Sequence, residues 1–138
     1  MRLPLTAPHI PKPVWLLLAV YFIASLTHFA HNAEYIAYYP NMPTFITRET
    51  VYWAWLAVSS LGVAGLIVSR MGWHTAGARL LMTYGACGLD GLLHYTLALC
   101  AEHTLATNLT IWFEVLAGSA LAMASLAAAL RPRRARPL

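Results

Sequence analysis

The sequence predicts an all-α fold: an integral membrane four-helix bundle with both termini cytoplasmic. Three observations predict it. The chain is 59% hydrophobic and only 10% charged, whereas a soluble domain carries about 25% charged residues. Four apolar stretches have the length of about 20 residues that crosses a bilayer. The basic residues fall asymmetrically around those stretches. With four spans, Arg2, Lys12, Arg70, Arg79, Arg131, Arg133, Arg134 and Arg136 share one side and Arg48 alone lies opposite. That excess marks the cytoplasmic side, and it places the chain in the cell (inner) membrane as a multi-pass protein.

The elements follow in order within a single domain, residues 1–138. A Pro-rich lead ends at Pro13, which suits the first turn of a helix. Span one covers about 14–33. Its apolar run VWLLLAVYFIASL, with basic residues before it and FAHNA after it, also has the pattern of a secretion signal. Retention is expected, because the polar end of the segment looks used. The stretch EYIAYYPNMPTFITRE, with its three tyrosines, reads as an outer interfacial or re-entrant loop, since aromatic rings favour the headgroup level. Span two covers about 50–68 and opens on Tyr52, Trp53 and Trp55. After the turn SRMGWHTAGAR, span three covers about 78–100 as one helix. AEHTLAT is the second outer loop, span four covers about 108–130, and a basic, Pro-broken tail expected to be disordered fills 131–138. Gly85, Gly88 and Gly91 recur at every third position of span three, where small residues let helices approach closely.

Composition also excludes. The net charge of +4 comes from residues at span ends and does not point to nucleic acid. Cys87 and Cys100 are roughly 20 Å apart on a continuous helix, too far for a disulfide. No CxxC or CxxCH motif occurs, so a zinc ribbon or covalently attached haem has no support.

The candidate site rests on the few ionisable residues within the apolar stretches. Such groups are costly in lipid, so they usually face a bundle interior and often mark function. His28, His94 and Glu114 each lie roughly 8–9 Å below the outer end of their spans at 1.5 Å per residue. Asp90 lies one turn deeper than His94 and, on an α-helix, on the same face. His31 stands at the rim. Hence His28, His31, Asp90, His94 and Glu114 are expected to line one outward-opening cavity, with Asp90 and His94 as a buried pair. Glu34, Glu49, Glu102 and His103 read as wet loop residues, and Asn108 as a helix cap.

Imidazoles with carboxylates suit a first-row transition metal, here iron, copper or zinc. The leading expectation is a metal site in an oxidoreductase or a metal-handling protein. A second reading has no metal: an accessory, assembly or small-ligand-binding protein whose polar cluster is structural, standing alone, as a homo-oligomer or in a larger membrane complex. A separate chemistry without metal has the His–Asp pair beside Glu114 relay protons or neutralise a cationic ligand. A third is haem b with His28 and His94 as axial ligands.

Overall fold

The computed structural model describes residues 10–130; the Arg2 and His9 region and the basic tail 131–138 lie outside the described residues. Among the described residues the structure is helical without strands. Helix α1 spans Lys12–Glu34 and starts with Pro11 as its cap and Pro13 in its first turn, where a missing N–H costs nothing. A loop containing one 3-10 turn, Ile36–Tyr38, leads to α2, Arg48–Arg70. Thr47 caps α2: its hydroxyl accepts from the Thr50 N–H, and Thr50 returns a bond from the Thr47 N–H. Gly72, at φ +92°, turns the chain after α2 in the left-handed region that glycine adopts freely.

The third apolar stretch is not the single α-helix expected over 78–100. Helix α3 covers His74–Ala86 only, a 3-10 helix follows over Cys87–Leu93, and a single α-turn, α4, covers His94–Leu97. After a 3-10 turn at Cys100–Glu102, α5 runs from Leu105 to Leu130. The glycine spacing supplies the reason. Three residues turn an α-helix by about 300°, so a period-three stripe winds off one face. In a 3-10 helix, with three residues per turn, the same stripe stays aligned. Gly85, at the end of α3, leads into Gly88 and Gly91 within the 3-10 helix, and the stripe runs along α5. A Cβ on Gly85 would stand 2.6 Å from the Gly118 carbonyl oxygen, and one on Gly88 would stand 2.9 Å from that of Glu114.

Helix α1 packs against α5 and α2, and α3 packs against the same two helices. The centre is filled by Leu18, Tyr21, Leu81, Tyr84 and Leu121, with the Tyr21 and Tyr84 rings edge to face at 4.6 Å. A smaller apolar group, Phe29, Ala33 and Val51, joins α1 to α2 nearer the outer loops. The outside is apolar as well: Leu16, Ile23, Leu56, Val63, Leu116 and Met123 are exposed. Helices α1, α2 and α5 are long and apolar enough to cross a membrane. Cys87 and Cys100 are both free thiols.

Candidate functional site

The polar residues converge where α1, the 3-10 helix, α4 and the start of α5 meet. His28 is 2% exposed and Glu114 is fully buried. Helix periodicity explains their arrival. Ser25, His28 and Asn32 fall on the inner face of α1, and Thr107, Ile111 and Glu114 on that of α5.

Hydrogen-bond accounting fixes the tautomer of His28. The Thr110 hydroxyl donates to the Thr107 carbonyl at 2.9 Å, so its oxygen accepts from His28 Nδ1, 3.3 Å away. Nδ1 therefore carries a proton. The other nitrogen, Nε2, faces Glu114 Oε2 at 3.6 Å. His28 and Glu114 thus face each other in a dry setting just beyond hydrogen-bonding distance, and neither Glu114 oxygen has a hydrogen-bond partner.

His94 is 8% exposed and sits beside this pair, its ring edge to face with His28 at 5.4 Å. The Asn32 amide Nδ2 donates to His94 Nε2 at 3.3 Å, which makes His94 a neutral imidazole with its proton on Nδ1. The partner expected for His94 was Asp90, and the structure does not form that pair. Among the described residues the ion pairs are His28–Glu114 and Arg48–Glu34. The 3-10 helix is responsible: at about 120° per residue, positions four apart no longer share a face.

The loops leading into α2 and into α5 cover the cluster. Tyr39, 3% exposed, lays its ring on His94 at 4.8 Å and reaches His31 Nδ1 with its hydroxyl at 2.9 Å. His103, expected to be a wet loop residue, is buried instead: its Nε2 lies 3.3 Å from the His94 carbonyl oxygen, to which it donates. Asn41 takes the left-handed conformation at φ +56° and donates to the Leu97 carbonyl at 2.8 Å, so the first loop is tied to the end of α4. At the loop edge Glu34 accepts from both Arg48 and Tyr52 on the surface. Glu102 bonds the Leu99 N–H and stays exposed, and Asn108 accepts from the Tyr95 hydroxyl while its amide donates to the Cys100 carbonyl.

Beside the cluster lies a cavity of about 370 Å³ between α1, α2 and the 3-10 helix. Its walls are apolar, with Phe29, Phe45, Ile46, Val51 and Leu93 among them. Its polar lining includes His28, Asn32, Asp90 and His94. Of the five residues singled out in the sequence, His28, Asp90 and His94 thus line one cavity. Glu114 stands behind Gly91, its Oε2 3.6 Å from where a Gly91 Cβ would lie. His31 turns away to Tyr39. Sequence reasoning did not single out Asn32, Thr110, Tyr39 or the burial of His103. Asn32 was legible in part, since it lies four residues after His28 and so on the same face.

The side chains form no ready-made metal cluster: among the described residues no group of three or more His, Cys, Asp or Glu side chains is placed to hold an ion. The inward nitrogens of His28 and His94 face Glu114 and Asn32 respectively. Axial haem ligation fits no better: axial imidazoles stand on opposite faces of a porphyrin, whereas these two rings touch edge to face. No protein family, curated protein or solved structure matches the chain, so the site is read from its own geometry.

Proposed function

We propose that this chain is an integral four-helix membrane protein, both termini cytoplasmic, that binds a small amphipathic molecule in the cavity between α1, α2 and the 3-10 helix. One observation carries the reading: an apolar cavity of about 370 Å³ whose polar lining is confined to His28, Asn32, Thr50, Asp90 and His94. Ligand sites have this character, mostly apolar with a few placed polar groups, in a range of about 300–1,000 Å³.

Four spans rest on the third segment as well as on the three long helices. Run end to end, α3, the 3-10 helix and α4 reach about 40 Å, because the 3-10 helix rises about 2.0 Å per residue. The hydrocarbon core is about 30 Å thick. Lys12, Arg70 and Arg79 then lie on the cytoplasmic side, and the cavity lies toward the outer side.

The test is extraction and mass spectrometry of the protein purified in nanodiscs, parent against Ala54→Phe. Ala54 lines the cavity from α2 yet is exposed on that helix, so a larger ring fills space without entering the core. A small molecule retained by the parent and lost from the variant is the expected result. Identical extracts would overturn the reading. Elemental analysis of the same samples addresses the metal alternative: stoichiometric iron, copper or zinc would restore it.

A further inference from the structure

Two buried acceptors in the lining of the cavity have no donor. Asn32 is nine-tenths buried, its Nδ2 is spent on His94, and its Oδ1 has no partner. Asp90 Oδ1 is likewise buried without a partner. Behind Gly91 the two Glu114 oxygens add further acceptors with no hydrogen bond. Nearly every buried polar group in a protein finds a partner, and here unpartnered acceptors of Asn32 on α1 and Asp90 on the 3-10 helix border one space, with His94 Nδ1 the one unpartnered imidazole donor among the described lining residues.

Charge is unbalanced in the same sense. No Lys or Arg lines the cavity. Arg48, at the start of α2, is held by Glu34 through two hydrogen bonds of 3.0 and 2.7 Å. Lys12 opens α1 at its far end from the site, and Arg70 and Arg79 flank the turn between α2 and α3. Among the described residues Asp90 therefore has no cation beside it, although an isolated carboxylate at this depth is strongly disfavoured.

We infer that the molecule the cavity takes is a protonated amine on an apolar body, its ammonium group between Asp90 and Asn32. This rests on the proposed ligand-binding reading and names the ligand's class. An ammonium supplies donors for the Asp90 and Asn32 oxygens together with the positive charge that the lining lacks. A neutral hydroxyl supplies one donor and no charge, and a carboxylate supplies neither and would meet Asp90 with like charge. The apolar body packs against Phe29, Phe45, Ile46 and Leu93.

Equilibrium dialysis of decylamine and of decanol against protein nanodiscs, with empty nanodiscs subtracted, tests this on the parent, Asp90→Asn and Ala54→Phe. The parent should hold decylamine about tenfold more tightly than decanol, the advantage of a charge-assisted bond. Asp90→Asn should bring the two within about threefold, and Ala54→Phe should weaken both. Decanol bound by the parent as tightly as decylamine, with Ala54→Phe still weakening both, would overturn the amine assignment and leave the cavity reading standing. Neither probe binding the parent, or binding that Ala54→Phe leaves untouched, would overturn both. Because the decisive comparison is made on the parent, a variant that fails to fold does not affect it.

Discussion

Glu114 is the residue whose environment constrains the protein most. Its carboxyl group is wholly buried and, among the described residues, its one ion-pair partner is His28 at 3.6 Å. Removing one member of a buried pair leaves the other stranded at a cost of about 3–5 kcal/mol, whereas replacing both with apolar groups is often neutral. His28→Leu should therefore lower the melting temperature in detergent sharply, and His28→Leu with Glu114→Leu should recover most of the loss. A double variant as unstable as the sum of the two singles would show that the pair is not coupled. Tyr39, in the outer loop, gives a second prediction at this scale. Burial raises its phenol from 10.0 to about 12. A raised value means that the folded state holds the proton more tightly, so this contribution is whole below pH 10 and is lost as pH rises from 10 toward 12. Stability should fall more steeply between pH 9 and 11 in the parent than in Tyr39→Phe. Equal slopes would place the Tyr39 ring in solvent.

At the scale of elements, the contact between the third segment and α5 decides where the site residues point. Gly85 and Gly118 face each other so closely that a Cβ on either would stand 2.6 or 2.5 Å from the other's carbonyl oxygen. Backbone, unlike a side-chain tip, cannot swing aside. Gly85→Ala and Gly118→Ala should each cost about 1–3 kcal/mol, the usual range for overpacking. Gly91 is the internal control: its nearest contact would be Ile111 Cγ2 at an ordinary 3.5 Å. Gly91→Ala should leave the melting temperature within a degree or two of the parent's, unless the 3-10 helix departs from this register. The cap of α2 is a separate, local term. Thr47→Ala removes the hydroxyl that accepts from Thr50 and should cost about 1 kcal/mol.

For the whole molecule, the apolar exterior and the placement of Lys12, Arg70 and Arg79 at one end support the proposed orientation. Cys100 is exposed in the outer loop and Cys87 is half-buried in the third segment. A membrane-impermeant maleimide added to intact spheroplasts should label Cys100. A cysteine placed by Trp73→Cys, in the exposed turn between α2 and α3, should label only after the membrane is opened. The reverse pattern would invert the proposed topology and turn the cavity toward the cytoplasm.

The sequence by itself determined that the chain is helical and apolar, because hydropathy depends on local composition; of the four spans it predicts, three are single helices long and apolar enough to cross a membrane. It also made His28, Asp90 and His94 candidates, because ionisable groups in apolar stretches are costly wherever they lie. Tertiary structure decided their partners. The conversion of the third segment to a 3-10 helix depends on how closely α5 approaches, and it rotated Asp90 away from His94 and left Asn32 as the imidazole's partner. The period-three glycines carried that information, yet the same spacing also reads as plain close packing of an α-helix. His103 seemed a wet loop residue because its neighbours in sequence are polar. It is buried because Tyr39, 64 positions earlier, folds over His94. Contacts between residues so distant in sequence leave no periodic trace along the chain, so only the packed molecule specifies them.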